Sequence, residues 1–283
     1  MAEQARSGNN PLKYFLIAFG FSWLFWIPAT LINKDIFSSP WVILLYLGGL
    51  GPAFAAVLLK HLHTTPSVKR DYWSRVFGFR KISGFWYWVI FLSYPALSAI
   101  TTFVMRGELR FSAAFRDILA DPLRLVPFLI FLYLFGPFPE ELGWRGYALD
   151  GLQDRMDPLS ASLLLGFFHA IWHIPLFLMA GTYQAQLGFG SAEFWIFLGS
   201  ATVVSVFYTW IYNNNHSSIL SASLFHFSIN LTGNVFFETQ STRLVRLLIM
   251  VVLIGLLSLA TRRKGLLGFD RSRQLGLPAS PGS

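Results

Sequence analysis

Two adjacent glutamates, followed four residues later by an arginine, are the side chains in this sequence best suited to chemistry. They are Glu140, Glu141 and Arg145, and they follow an apolar run that ends at Pro139. Charged groups within apolar, membrane-like sequence cost free energy to bury, so their presence there indicates a function. A glutamate in such a site can accept a proton from water, and we therefore expect hydrolysis by activated water.

The local sequence predicts different tasks for the two glutamates. Pro139 suits a first helical turn, because its missing N–H would be unpaired there in any case, and the positive end of the helix favours the acidic pair. Arg145 follows Glu141 by one helical turn, the spacing at which ion pairs form on one face. Adjacent residues point about 100° apart on a helix. We therefore expect Arg145 to hold Glu141, and Glu140 to face a cavity.

Two later segments each carry a polar pair at helical spacing. His169 and His173 are four residues apart, as are His226 and Asn230. A lone membrane histidine is as readily explained by an interhelical hydrogen bond. Recurrence of such costly groups in three apolar segments instead favours one common site. An asparagine amide can donate to a developing oxyanion, whereas His169 stays open between a site residue and a supporting one.

A metal ion is an open alternative for activating the water. Two histidines and a carboxylate form a zinc ligand set with a vacant fourth position, and the candidate ligands are His173, His226 and Glu140. The sequence contains neither a G-x-S-x-G serine nor a His-Glu-x-x-His motif, and it has no cysteine. A serine or cysteine nucleophile and a zincin-type site therefore have no sequence support. Zinc is the one cofactor that we consider.

The elements that position these residues are predicted to be membrane helices. Apolar residues make up 54% of the chain and charged residues 13%, and a spanning helix needs about 20 apolar residues. The predicted fold is an all-α polytopic membrane domain over residues 11–265, between a disordered N-terminal tail, 1–10, and a disordered C-terminal tail, 266–283. Eight stretches meet or nearly meet the length requirement: 12–32, 41–59, 85–105, 123–138, 159–180, 193–212, 219–237 and 244–261.

The basic residues follow the predicted topology. Most lysines and arginines lie in the 60–83 loop, the 139–158 segment and the chain ends, which eight spans place on one side. The positive-inside rule makes that side cytoplasmic, so both termini are expected there, in a multi-pass protein of the cell membrane. The net charge of +8 thus indicates topology and not a nucleic acid partner. Membrane lipids are therefore the partners that the charge distribution predicts.

The three motifs together resemble those of the CPBP intramembrane protease family, which groups CAAX prenyl proteases of the Rce1 type with bacteriocin-processing and immunity proteins. The resemblance covers about residues 120–235, and His169 stands where the family usually has phenylalanine. The family motifs are Glu-Glu-x-x-x-Arg, Phe-x-x-x-His and His-x-x-x-Asn, matched here by Glu140, Glu141, Arg145, His173, His226 and Asn230.

The resemblance implies an eight-helix fold around a conical catalytic cavity that opens towards the cytoplasm and the membrane. It implies that Glu140 and His173 activate water, and that His226 and Asn230 stabilise the tetrahedral intermediate. The expected activity is an intramembrane endopeptidase acting near the cytoplasmic face, on a prenylated CAAX-type C-terminus or a small peptide precursor. The alternatives are a non-proteolytic scaffold or immunity protein and, with less support, a proton-coupled transporter.

Overall fold

The computed structural model describes residues 8–32, 34–38, 40–261 and 266–269. Within these residues the chain forms helices and no strand, and one isolated antiparallel bridge joins Phe111 to Phe236. The predicted all-α class is confirmed.

The α-helices are α1 (Pro11–Thr30), α2 (Val42–Gly49), α3 (Gly51–His63), α4 (Pro66–Phe77), α5 (Gly84–Arg106), α6 (Ala113–Ala120), α7 (Pro122–Leu134), α8 (Pro137–Gly143), α9 (Asp150–Gln153), α10 (Pro158–Trp172), α11 (Tyr183–Leu187), α12 (Ala192–Asn214), α13 (Ile219–Val235) and α14 (Gln240–Thr261). A π-helix covers Trp144–Leu149, and 3-10 helices cover Ile36–Ser38, Phe79–Lys81, Ile174–Leu178 and Leu266–Gly268.

Fewer helices than the predicted eight are long and apolar enough to cross a membrane. The described part of the chain contains six, or up to seven if α2 and α3 form one span bent by 42°. Pro52, near the start of α3, has no N–H to continue the α2 hydrogen-bond ladder, which explains the bend. The predicted span 219–237 is instead the 17-residue α13, which at about 1.5 Å per residue is shorter than a bilayer core of about 30 Å.

The segment 139–158, predicted as a connection between two spans, is for the most part a buried helical segment. The helical path begun by α7 continues through α8, the π-helix and α9 to residue 153, and every residue from 139 to 153 is buried. Arg145 is fully buried, so it does not belong among the basic residues that set the topology. Hydropathy alone missed this, because neighbouring helices enclose a segment that is only moderately apolar.

Close helix contacts enclose the glutamate segment. α8 packs on α3 and α13, and α10 packs along α12. A Cβ on Gly143 would lie 2.4 Å from the backbone oxygen of Pro52, and one on Gly166 would lie 2.5 Å from that of Thr202. Only glycine allows backbones to approach so closely, as in other membrane helix pairs. Leu24, Trp88, Leu123 and Val252 are among the large apolar side chains that remain exposed on the outside, as expected for a lipid-facing surface.

The two ends of the described chain lie at the same end of the helix bundle. The Asn9 amide donates to the backbone oxygen of Tyr147 at 2.8 Å, and Lys60 Nζ donates to the Asn9 side chain at 3.0 Å. Leu267 is buried, and its backbone oxygen lies 3.4 Å from Nδ2 of Asn214. Asn9 and Leu267 fall within the predicted disordered tails, of which residues 1–7 and 270–283 lie outside the described residues.

Candidate active site

A break between α7 and α8 starts the helix that carries both glutamates. Gly136 is the N-cap of α8, Pro137 occupies the first position, and Glu140 lies in the first turn. The predicted helix start is confirmed, two residues before Pro139. Because proline at these positions leaves no unpaired backbone N–H, the break can be buried inside the protein at little cost.

The predicted ion pair between Glu141 and Arg145 is confirmed. Nη1 of Arg145 donates to Oε1 of Glu141 at 3.0 Å, and both side chains are fully buried. Nη2 of Arg145 donates to Oγ of Ser205 at 2.9 Å, and the guanidinium lies 4.1 Å from the centre of the Tyr208 ring. A buried charge is tolerated only when it is paired and hydrogen-bonded, and α12 supplies the additional partners.

The second polar partner of Glu141 is His226 of α13. Nδ1 of His226 lies 2.9 Å from Oε1 of Glu141, the same oxygen that Arg145 contacts. Since an ionised carboxylate only accepts hydrogen bonds, Nδ1 of His226 carries a proton. Glu141 therefore joins Arg145 and His226 through Oε1, and its buried Oε2 has no hydrogen-bond partner among the described residues.

Glu140 has a separate environment, formed by the two histidines of α10. Oε2 of Glu140 lies 2.7 Å from Nε2 of His169, and both side chains are almost completely buried. Nδ1 of His173 donates to the backbone oxygen of His169 at 2.9 Å. This bond fixes the proton of a neutral His173 on Nδ1, so its Nε2 is free to accept a hydrogen bond or to bind an ion.

Asn230 lies on α13, one turn after His226, and adjoins the helix break. Its amide Nδ2 would be 3.4 Å from a Cβ on Gly136, and its backbone oxygen accepts a hydrogen bond from Nδ2 of Asn234. The amide is thus close to the start of the segment that carries Glu140. The structure brings all seven predicted site residues into one region. This region is nearly enclosed, and the conical cavity stays a prediction.

The possible metal ligands differ from the predicted set. Glu140, His169 and His173 each offer a ligand atom, and these atoms lie within 4.8 Å of one another. His226 is not part of this group, and its Nδ1 is bonded to Glu141. A carboxylate with two histidines fits zinc or a similar divalent ion, and it would leave a coordination position open.

Several residues that complete the site were not found by sequence reasoning. Ser205 and Tyr208 hold Arg145, and the ring of Trp144 lies 5.0 Å from that of His169. Ser205 offered a weak signal, since a serine in the middle of an apolar span commonly bonds to a neighbouring helix. Tyr208 and Trp144 offered none, because aromatic residues are frequent throughout this chain.

The arrangement provides a base, a hydrogen-bond acceptor and two groups suited to a developing negative charge. Glu140 and the unprotonated Nε2 of His173 can accept hydrogen bonds from one water molecule. The Asn230 amide and the His226 ring belong to the neighbouring α13. These are the groups needed for hydrolysis without a covalent intermediate.

Comparison with known proteins identifies the family of this chain. The family described as Type II CAAX prenyl endopeptidase Rce1-like matches residues 122–232, which include all three motifs. A CAAX prenyl protease 2 from Methanococcus maripaludis is 30% identical over 250 residues, which are 83% of this chain and 88% of that protein. The chain, a multi-pass membrane protein by its helices and its motifs, belongs to the Rce1-like family of type II CAAX prenyl endopeptidases.

Proposed function

We propose that this protein cleaves a peptide bond by water that Glu140 and His173 activate. The supporting observation is the separation of the two glutamates. Glu141 is bonded to Arg145 and His226, whereas Glu140 contacts only the histidine side of the site through His169. Glu140 is slightly accessible whereas Glu141 is fully enclosed, and a carboxylate paired with an arginine is the weaker base of the two.

In the proposed reaction Glu140 accepts a proton from water as the water oxygen attacks the scissile carbonyl. Nε2 of His173 accepts the other water hydrogen in a hydrogen bond and orients the attack. The carbonyl oxygen becomes an oxyanion beside Asn230 and His226. Collapse of the tetrahedral intermediate breaks the C–N bond, and the carboxyl of Glu140 returns its proton to the leaving amine.

The Glu141–His226 bond assigns a particular protonation state to the oxyanion site. With its Nδ1 proton donated to Glu141, a neutral His226 has no proton on Nε2. His226 can therefore donate to an oxyanion only as an imidazolium, whose charge the anionic Glu141 would balance. Arg145 keeps Glu141 ionised for that purpose.

For the substrate, we propose a prenylated CAAX-type C-terminus, with a small peptide precursor as the other substrate class. The relative from Methanococcus maripaludis is named a CAAX prenyl protease. Phe131 and Phe135, stacked at 4.6 Å, precede the helix break and are about half exposed, with the ring of Tyr46 beside them. An isoprenoid chain lying along these rings would place the adjoining peptide near Glu140.

The decisive experiment is cleavage of matched fluorogenic peptides by the protein purified in detergent. We expect a farnesylated CAAX peptide to be cut faster than the same peptide without the lipid, and Glu140→Gln protein to cut neither. Equal cleavage of both peptides would favour an unmodified peptide precursor as substrate. No cleavage of these or of a general peptide library would favour the scaffold or immunity function. Chelator-sensitive activity that zinc restores would favour metal assistance over a glutamate base.

We further propose that both termini face the cytoplasm of the cell membrane. Asn9, Tyr147 and Leu267 lie at one end of the bundle, so the chain passes from one end of the bundle to the other an even number of times between Asn9 and Leu267. Tyr72 of α4 lies at that end, because its hydroxyl donates to the backbone oxygen of Leu142 at 2.9 Å, whereas α6 joins the opposite end, where Ser112 contacts Asn234.

Single cysteines would test this orientation, since the natural sequence has none. Ser67 in α4 and Asp117 in α6 are both exposed. In intact cells we expect a membrane-impermeant maleimide to label Asp117→Cys protein and not Ser67→Cys protein, and to label both after lysis. The reverse pattern before lysis would invert the orientation, and labelling of both in intact cells would contradict a membrane crossing by α5 between α4 and α6.

A further inference from the structure

His169 gives this chain a possible metal ligand at a position where the family motif usually has phenylalanine. The nearest possible ligand atoms are Oε2 of Glu140 and Nε2 of His169, 2.7 Å apart, and both side chains are almost inaccessible. His173 completes the group of three within 4.8 Å. We propose that Glu140, His169 and His173 bind one divalent transition-metal ion, with zinc as the best-fitting ion.

The hydrogen bonds around the group favour ion binding over a purely structural contact. The backbone oxygen of His169 accepts the Nδ1 proton of His173 and thereby presents the lone pair of His173 Nε2. Metal-binding histidines usually donate their other N–H to a carbonyl or carboxylate in this way. His169 lies in α10 and His173, one turn later, is the C-cap residue of that helix, so the end of α10 holds both rings on one side of the site.

The surroundings restrict the choice of ligands and of ion. His226 is held by Glu141, and its ring centre is 6.0 Å from that of His169. The rings of Trp144 and Trp172 lie 5.0 and 6.1 Å from the His169 ring and limit access to it. Two nitrogens, one carboxylate oxygen and one open position match tetrahedral zinc better than magnesium or calcium, which prefer oxygen ligands.

Cobalt provides a probe that reports binding without any assay of activity. The full-length protein in detergent is treated with a chelator, exchanged into metal-free buffer and titrated with Co²⁺. We expect the intense visible absorption of tetrahedral cobalt to saturate at one ion per chain and to be lost on addition of zinc. Elemental analysis of the zinc-loaded protein would check the stoichiometry.

Three variants distinguish metal binding at this site from metal binding by other histidines of the chain. Because loss of an outer-shell partner already weakens metal binding about 10- to 100-fold, we expect His169→Phe to weaken Co²⁺ binding at least about 100-fold. His226→Gln should keep the cobalt spectrum, and so should His61→Phe, which removes an exposed histidine. Circular dichroism and gel filtration would verify folding of each variant. Absence of a stoichiometric ion in the wild type, or an unchanged spectrum in His169→Phe, would overturn the proposal.

Ion binding has a consequence for hydrolysis that rests on the proposed function. The ion and the attacking water compete for the same carboxylate, so we expect zinc-loaded protein to cleave peptide more slowly than chelator-treated protein. Faster cleavage with zinc would show that the ion, and not Glu140, activates the water. The cobalt titration is unaffected by either result, so failure of the binding site and failure of the glutamate mechanism would be distinguishable.

Discussion

Glu140→Gln protein is expected to hydrolyse peptide about 10²- to 10⁴-fold more slowly than wild type, the usual contribution of a general base. Glutamine preserves the size of the side chain, and its carbonyl oxygen can still accept a hydrogen bond from His169 Nε2. It cannot take a proton from water. The measurement is kcat for the farnesylated fluorogenic peptide at saturating concentration, together with the thermal unfolding midpoint in detergent.

A surface glutamate provides the matched control for this variant. Glu108 forms an ion pair with Arg110 and is about half exposed, so Glu108→Gln should leave kcat within about twofold of wild type, because surface pairs contribute at most about 1 kcal/mol. Both variants should keep the wild-type unfolding midpoint within a few degrees. A Glu140→Gln protein that is folded and retains most of the wild-type kcat would refute the assignment of Glu140 as the base.

Arg145→Met is expected to cause the largest loss of stability among the variants considered. Breaking a buried ion pair from one side typically costs about 3–5 kcal/mol, because the remaining charge stays buried without its partner. Here Glu141 would keep only the His226 contact, and Ser205 would lose the Arg145 bond. We expect a clearly lower unfolding midpoint, a reduced yield of folded protein and little or no hydrolysis.

The exposed Arg124–Asp121 pair supplies the control for Arg145. The Arg124 side chain is 77% exposed, so Arg124→Met should change the midpoint little, since such pairs contribute about 1 kcal/mol or less. Adding Glu141→Gln to Arg145→Met removes the stranded charge and should restore part of the midpoint, but not the activity. If Arg145→Met lowers the midpoint no more than Arg124→Met does, the buried pair does not stabilise this fold.

Local sequence rules predicted those features of the site that are formed by residues close together within a single helix. The start of α8 follows from its glycine and prolines, and the Glu141–Arg145 pair follows from helical spacing. The i, i+4 spacing likewise placed His169 beside His173. These features need no knowledge of neighbouring helices, because the residues involved are within one turn of one another.

The contacts between helices could not be predicted in the same way. Spacing does not reveal which helix faces Arg145, so its bonds to Ser205 and Tyr208 were unforeseen. The bond between His169 and Glu140 required the relative positions of α8 and α10, and it moved the candidate metal ligands from His226 to His169. Hydropathy also assigned the buried residues 139–153 to a connection, because it records composition and not whether a segment is surrounded by protein.

The π-helix at Trp144–Leu149 couples the active site to a second polar cluster on the same helical path. Beyond it, Asp150 accepts hydrogen bonds from Arg75 at 3.0 Å and from Tyr212 at 2.6 Å, and all three are buried. Each residue of an α-helix advances the side-chain direction by about 100°, so the wider turn sets the angle between the glutamates and Asp150. One residue more or fewer in this turn would turn one cluster away from its partners. The length of this segment is therefore set by the two polar clusters that it joins.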